Sequence, residues 1–189
     1  MRKGKTTMLA VITLVALSFW FSGCVFIIPE ITVEPVNIFD PANDWYGSIV
    51  VESSTPDYSE NNPLSFLTDG NHNTRWVSEG RFPTGLDYHW VKITLPEAMA
   101  LNKIVLVSDD GAGNHPTRIT REFALDYWNG AEWVQVVHVT ENTDRVVEET
   151  FDPVEAKEWR LRIIQATQSS DRTIRLYELE LWTPEVLGI

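Results

Sequence analysis

The chain of 189 residues predicts an all-β domain, a two-sheet β-sandwich or jelly roll of about eight main strands. Three observations carry that prediction. Val, Ile, Trp, Tyr and Thr fall in short runs divided by Gly, Pro, Asn and Asp. Several runs alternate apolar and polar residues, the period of a half-buried strand. No stretch sustains the i, i+3, i+4 spacing of an amphipathic helix.

The strands predicted in chain order are 48–54, 89–95, 102–108, 120–128, 132–139, 145–151, 158–166 and 174–183. In "WVKITL", Val91, Ile93 and Leu95 share a face. "KIVLVS" is apolar on both faces and reads as central. In "EWRLRI", Trp159, Leu161 and Ile163 face one way while Arg160 and Arg162 face the other. Asn129-Gly130 marks a hairpin. "NNPLSFLTDG" has room for one helical turn. Trp90, Trp133, Trp159 and Trp182 read as core, and Trp128, beside the hairpin turn, as the exposed tryptophan.

The first segment, "MRKGKTTMLAVITLVALSFWFSGC", is a secretory signal in layout. A basic start (Arg2, Lys3, Lys5) precedes an apolar run that is short for a bilayer span of ~20 residues. Cys24, the sole cysteine, falls where cleavage is expected, as in a bacterial lipoprotein signal, so lipidation at Cys24 is expected, despite Phe21 where an aliphatic residue is usual. The division predicted is a signal over 1–23, a tether over 24–45 carrying Pro29, Pro35 and Pro41, and one domain over 46–189. The protein is then exported and membrane-anchored, at the cell surface or in the periplasm. With one cysteine no internal disulfide forms. The formal net charge is −12, and loss of a basic leader makes it more negative. That excludes nucleic acid and anionic membrane surfaces as natural partners, since both need a basic face.

The loop "LTDGNHNTRW" (67–76) offers oxygen donors only: Asp69, Thr74 and backbone carbonyls. Hard oxygen ligands on a tight loop suit Ca²⁺, although an Asp-Gly turn without metal has the same look. Gly70 permits the bend. The carboxylate spacing is not that of an EF-hand.

The order of motifs adds to this. Ser53-Ser54, "LTDGNHNTRW", "HWVKITLP", "NKIVLVSD", "REFALDYWNGAEWVQV", "KEWRLRI" and "RLYELELW" follow one another over 47–183. The series resembles the discoidin, or coagulation factor V/VIII type C, domain superfamily, which includes the family 32 carbohydrate-binding modules. The resemblance implies a galactose-binding-domain-like sandwich with a structural cation, Ca²⁺ or Na⁺, between the loop and the last strand. It assigns as ligands the carboxylates of Asp69 and Glu178, the carbonyl of Asn71, the hydroxyl and carbonyl of Thr74, and the carbonyls of Phe66 and Tyr177. Glu178, sharing a strand face with Leu176 and Trp182, is then a partly buried carboxylate that needs a cation. Trp76 is core packing.

No catalytic constellation is present: no Gly-x-Ser-x-Gly, no His-Glu-x-x-His, no phosphate-cradling loop and no nucleophilic Cys. The expectation is a non-enzymatic module. The resemblance implies that it holds a terminal sugar of a glycan or polysaccharide in loops at one end of the sandwich. Candidate loops are 78–89, 109–118, 140–145 and 167–173. The ligand residues expected are Tyr88, His89, Asp109, Asp110, His115, Arg118 and Arg172, although each also has a plain reading as turn former, packing residue or surface ion pair. The alternative is a protein-binding or scaffold module of a surface complex. Phe82, beside Arg81, is the one apolar loop tip of the kind that enters lipid, and the acidity of the chain opposes that role.

Overall fold

The computed structural model describes residues 31–108 and 116–188. Nine strands follow in order: β1 (Ile31–Val33), β2 (Val50–Ser53), β3 (Trp76–Val77), β4 (His89–Ser108), β5 (Glu122–Trp128), β6 (Trp133–Val139), β7 (Val146–Gln165), β8 (Arg175–Trp182) and β9 (Val186–Gly188). Short 3-10 turns lie at Tyr46–Ser48, Leu64–Thr68 and Pro116–Arg118. The second is the helical turn expected before the oxygen-rich loop.

The fold is a β-sandwich built around two 20-residue strands, β4 and β7, that pass through both of its layers. One layer runs β2, the first half of β4, the second half of β7, β5 and β6. The other runs β3, β8, the second half of β4 and the first half of β7. Every pairing is antiparallel. Four predicted strands, 89–95 with 102–108 and 145–151 with 158–166, are thus halves of two. The prolines that suggested breaks sit at the irregularities. Pro96 lies in the register shift between Thr94 and Met99, and Pro153 faces the shift between Leu101 and Lys103. A proline lacks the ladder N–H, so it is tolerated where pairing is interrupted and the strand bends from one layer to the next.

Val91, Ile93, Leu95, Phe123, Leu125, Trp159, Leu161 and Ile163 of the first layer meet Trp76, Ile104, Leu106, Leu176, Leu179 and Leu181 of the second in one buried cluster. Full burial of each large aliphatic is worth roughly 1.5–3 kcal/mol. Trp76 and Trp159 are core, as expected. Trp90, Trp133 and Trp182 are only half-buried, because they occupy outward positions of their strands. Trp128 is half-buried too rather than exposed, since its ring meets that of Trp133 edge-on at 5.5 Å across the hairpin.

The segment expected to be tether joins the fold at its C-terminal part. Val36 and Thr183 exchange backbone and side-chain hydrogen bonds, Asn37 bridges Trp182, and Ile38 N–H donates to the Leu181 carbonyl. Ile38 and Phe39 are buried in the core. The folded body therefore begins about ten residues before position 46. β1 pairs β9 beyond this zipper, so both described ends lie where β8 finishes. Cys24 and the leader lie outside the described residues.

Candidate functional site

At the opposite end, where β7 finishes and β8 begins, the inter-strand loops are tied together by two amide side chains, Asn142 buried and Gln168 half-buried. Asn142 Nδ2 donates to the Thr120 and Asp144 carbonyls, and its N–H to the Arg121 carbonyl. Gln168 Nε2 donates to the Ile119 and Asn142 carbonyls, and its N–H to the Thr117 carbonyl. The loop after β3 is fastened to the same end. Ser78 Oγ accepts from the Ile174 N–H, and Gly80 approaches Thr173 so closely that a Cβ there would lie 2.6 Å from Thr173 Oγ1. Loops 78–88, 116–121, 140–144 and 166–174 thus converge.

Between them lies an open cleft of about 270 Å³, lined by Phe82, Glu122, Ile164, Gln165, Ala166, Ser169, Ser170, Asp171 and Arg172. Its chemistry is mixed. Ile164, Ala166 and Phe82 give apolar wall, Arg172 a planar set of donors, Glu122 a carboxylate, and Ser169 and Ser170 hydroxyls. The Arg172 guanidinium lies 4.4 Å from the Phe82 ring centroid. Glu122 Oε1 is 2.9 Å from His138 Nε2, which holds the acid in place from β6. Such a surface matches a polyhydroxylated ligand, whose C–H faces and hydroxyl pairs need apolar wall and planar polar partners together.

The residues expected to bind ligand divide. Arg172 is exposed and lines the cleft. Asp109, Asp110 and His115 lie outside the described residues. Arg118 is half-buried in the turn that Gln168 fastens. Tyr88 is half-buried over Arg160 and Arg162, 5.9 and 5.6 Å from its ring centroid, where the outer sheet face meets the loops. His89 needs a correction: it is 0 % exposed and cannot touch a ligand. It continues the inward row of Val91, Ile93 and Leu95, and Nε2 bonds the Arg172 carbonyl at 3.0 Å. Phe82, read as a loop tip, is half-buried against His89 and Arg172. Phe82, Glu122, Gln165, Ser169 and Ser170 were not anticipated as lining residues. The apolar Phe82 in a polar loop was the available signal.

The oxygen-rich loop sits against the middle of β8. Asp69 Oδ1 accepts the Asn71 N–H at 2.9 Å, and Thr74 Oγ1 lies 2.8 Å from both Asp69 Oδ2 and the Asn71 carbonyl. Phe66, Thr74 and Tyr177 border one depression of about 400 Å³. Glu178 is 1 % exposed, and neither carboxylate oxygen has a hydrogen-bond partner. Burial, then the charges of Asp69 and Glu180, push its pKa up to about 8. The nearby Gly70 and Asn71 N–H groups act in the opposite direction, without closing a hydrogen bond to either oxygen.

A register shift in β8 sets the side on which Glu178 lies, and the oxygen-rich loop packed on that side buries it. Val107 pairs Glu178 while Ser108 pairs Leu176, so one residue is extra and the inward row passes from Leu176 to Leu179 and Leu181. Glu178 therefore shares its side with Glu180 and Trp182 but not, as expected, with Leu176. Among the described residues no three His, Cys, Asp or Glu side chains converge as a metal cluster. Ca²⁺ coordination through carbonyls and hydroxyls does not in general require three such side chains.

Comparison with known proteins fits this architecture. The F5/8 type C domain model matches residues 49–178. No curated protein matches the chain. Among solved structures, the family 32 carbohydrate-binding module from Streptococcus pneumoniae EndoD is similar with TM-score 0.62 at 21 % identity, over 79 % of this chain and 100 % of that one. The family 32 module from C. perfringens NanJ, solved with galactose, gives 0.61 at 18 %, over 79 % and 99 %. A chitosan-binding module of a chitosanase/glucanase from Paenibacillus sp. IK-5 gives 0.54 at 19 %, over 70 % and 92 %. At these identities the neighbours speak for the sandwich, while the match over 49–178, most of the folded body, fixes the membership: the chain belongs to the F5/8 type C domain family.

Proposed function

We propose that the protein is a non-catalytic, exported lipoprotein module that holds a sugar of a glycan or polysaccharide in the cleft between Phe82, Glu122 and Arg172. The observation that carries this reading is the cleft's composition: a guanidinium laid over an aromatic ring, facing a carboxylate and two serine hydroxyls at the loop end of the sandwich. Neighbours of the same fold are described with galactose or as chitosan-binding, which supports a carbohydrate as ligand class. The sheet faces give less support to a protein partner. Among the described residues the exposed large apolar side chains, Val33, Val50, Tyr58 and Val146, lie on separate elements and make no patch of the kind that marks a protein interface.

In the same reading a structural cation, Ca²⁺ before Na⁺, is held by Asp69, Asn71, Thr74 and Glu178 with the Phe66 and Tyr177 carbonyls. The buried, unpartnered Glu178 carboxylate supports it, since such a group needs a cation or a proton. The cation supplies charge balance and ties the loop to β8. Cys24 is the lipidation site. The chain then enters the fold where β8 ends, roughly 24 Å along that strand from the cleft at ~3.4 Å per residue, so a tethered module presents its cleft away from the membrane.

The test is a glycan array probed with the full chain in calcium buffer. Binding to a defined sugar that Arg172→Ala reduces at least tenfold is the expected result. A blank array from folded protein overturns the sugar reading.

A further inference from the structure

We infer that His89 is the positioning residue of the cleft: from beneath it, the imidazole fixes both Phe82 and the Arg172 backbone, and so sets where the Arg172 guanidinium stands. The inference rests on the cleft being the ligand site, and adds a residue that touches no ligand.

The placement of His89 is anomalous for a strand core. Its row continues with Val91, Ile93 and Leu95, all at most 1 % exposed, and its cross-strand partner on β7 is Ile163. An apolar residue would fill that position at no polar cost. An imidazole there leaves Nδ1 buried and without a partner, at the desolvation cost of an unsatisfied polar group. What the imidazole gains lies at the cleft. Nε2 reaches the Arg172 carbonyl at 3.0 Å, and the ring meets the Phe82 ring at 4.8 Å between centroids. Phe82 in turn carries the Arg172 guanidinium. Arg172 is thus fixed at its backbone by His89 and at its head by a ring that His89 supports. Without those contacts an exposed arginine samples many rotamers and loses that freedom on binding.

The Arg172 carbonyl bond is compatible with neutral or protonated imidazole, since Nε2 keeps its proton in both, and it is the buried, unpartnered Nδ1 that favours the neutral ring. A carbonyl only accepts, so Nε2 carries the proton and, in the neutral ring, Nδ1 is bare. Protonation would place an unpartnered N–H in a buried site facing the Arg172 charge. Phe82, whose ring packs on the imidazole, carries no charge to offset it. Burial holds His89 below its ordinary range, opposed by the hydrogen bond to the Arg172 carbonyl and assisted by the Arg172 charge.

The experiment reads Arg172 first without ligand. In the full chain, the Arg172 side-chain NMR signals carry an upfield ring-current shift from Phe82. His89→Phe keeps the ring but removes the donor, and should collapse that shift, while His89→Gln restores an N–H and recovers part of it. Retention on immobilised galactose is the second readout, where His89→Phe should bind at least tenfold more weakly, approaching Arg172→Ala. If the wild type ignores galactose, the Arg172 shift still decides the inference, and only the sugar reading suffers. If His89→Phe fails to fold, acid titration of the wild type replaces it: the Arg172 shift should follow His89 protonation below pH 6.5. Arg172 signals unmoved in a folded His89→Phe, or unmoved while His89 titrates, overturn the inference.

Discussion

Asp126 and Glu178 are both 1 % exposed, and the molecule settles their charges in opposite ways. Asp126 faces outward from β5 yet is buried under two arginines. Arg160 Nε and Nη2 donate to Oδ2 at 3.0 and 2.7 Å, and Arg162 Nε and Nη2 donate to Oδ2 and Oδ1 at 2.7 and 2.9 Å. The guanidinium groups are covered in turn, Arg160 by Trp133 at 4.5 Å and both by Tyr88. Glu178 has no such partner, and its nearest charges, Asp69 and Glu180, repel it. One carboxylate is balanced from within the chain. The other depends on a proton or a cation from outside.

The largest effect should come from unbalancing the first. Asp126→Asn leaves two arginines without their shared anion, and breaking such a pair costs about 3–5 kcal/mol. Glu178→Gln, the same chemical change, should leave cation-free protein as stable as before or more stable, because it replaces a carboxyl that must take up a proton to be buried. Urea unfolding of both variants in chelator measures the contrast. Equal losses from the two substitutions would remove the distinction between the sites.

The second effect is that of the proposed cation. Calcium at 100 times its dissociation constant should add ~2.7 kcal/mol, and nothing in Glu178→Gln. The pH dependence in chelator has a definite sign. The Glu178 pKa is raised from 4.5 to about 8, so between those values the folded state holds a proton that the unfolded state has released. Stability contributed by that proton is full below pH 4.5 and is lost as pH rises through 8. The calcium increment should grow over the same window, because ion and proton compete for one carboxylate. Thermal melts across pH 5–9, with calcium and with chelator, read both trends. A calcium increment that does not change with pH would separate Glu178 from the cation.

The two sites were unequally legible in the sequence. Alternation placed Arg160 and Arg162 on one face of β7, but their partner Asp126 lies on β5, and which strands neighbour each other is set by tertiary pairing. The oxygen-rich loop was visible because its donors are local, and Glu178 because motif order tied the last strand to it. The β8 register shift that turns Glu178 away from the Leu176 row left no mark in the sequence. His89 shows the converse: its place in the 89, 91, 93, 95 row already pointed inward, against the expectation that it meets a ligand. The cleft drew Phe82, Glu122 and 164–172 from three separate stretches, and spacing alone cannot join them. Pro96 and Pro153 misled because a register shift absorbs a proline as readily as a strand end does.

The smallest effect sharpens the comparison at the loop itself. Gly70 has φ of +72°, and a Cβ built there meets nothing within 4 Å. Gly70→Ala therefore carries the left-handed penalty alone, about 1–2 kcal/mol, with no clash added. The loss should be the same in calcium and in chelator if the loop keeps one shape in both. A larger loss in chelator would mean that the cation holds Gly70 in this conformation, and that without it the loop relaxes away from Glu178. Either result bears on the contrast with Asp126, whose arginines hold their geometry from within the sheet. At Glu178 it is the loop carrying Asp69, Asn71 and Thr74 that must supply it, so the backbone at Gly70 and the charge at Glu178 should be thermodynamically coupled. A double-mutant cycle of Gly70→Ala with Glu178→Gln measures that coupling: a nonzero interaction in calcium that vanishes in chelator is expected, and additivity in both would leave the loop and the carboxylate independent.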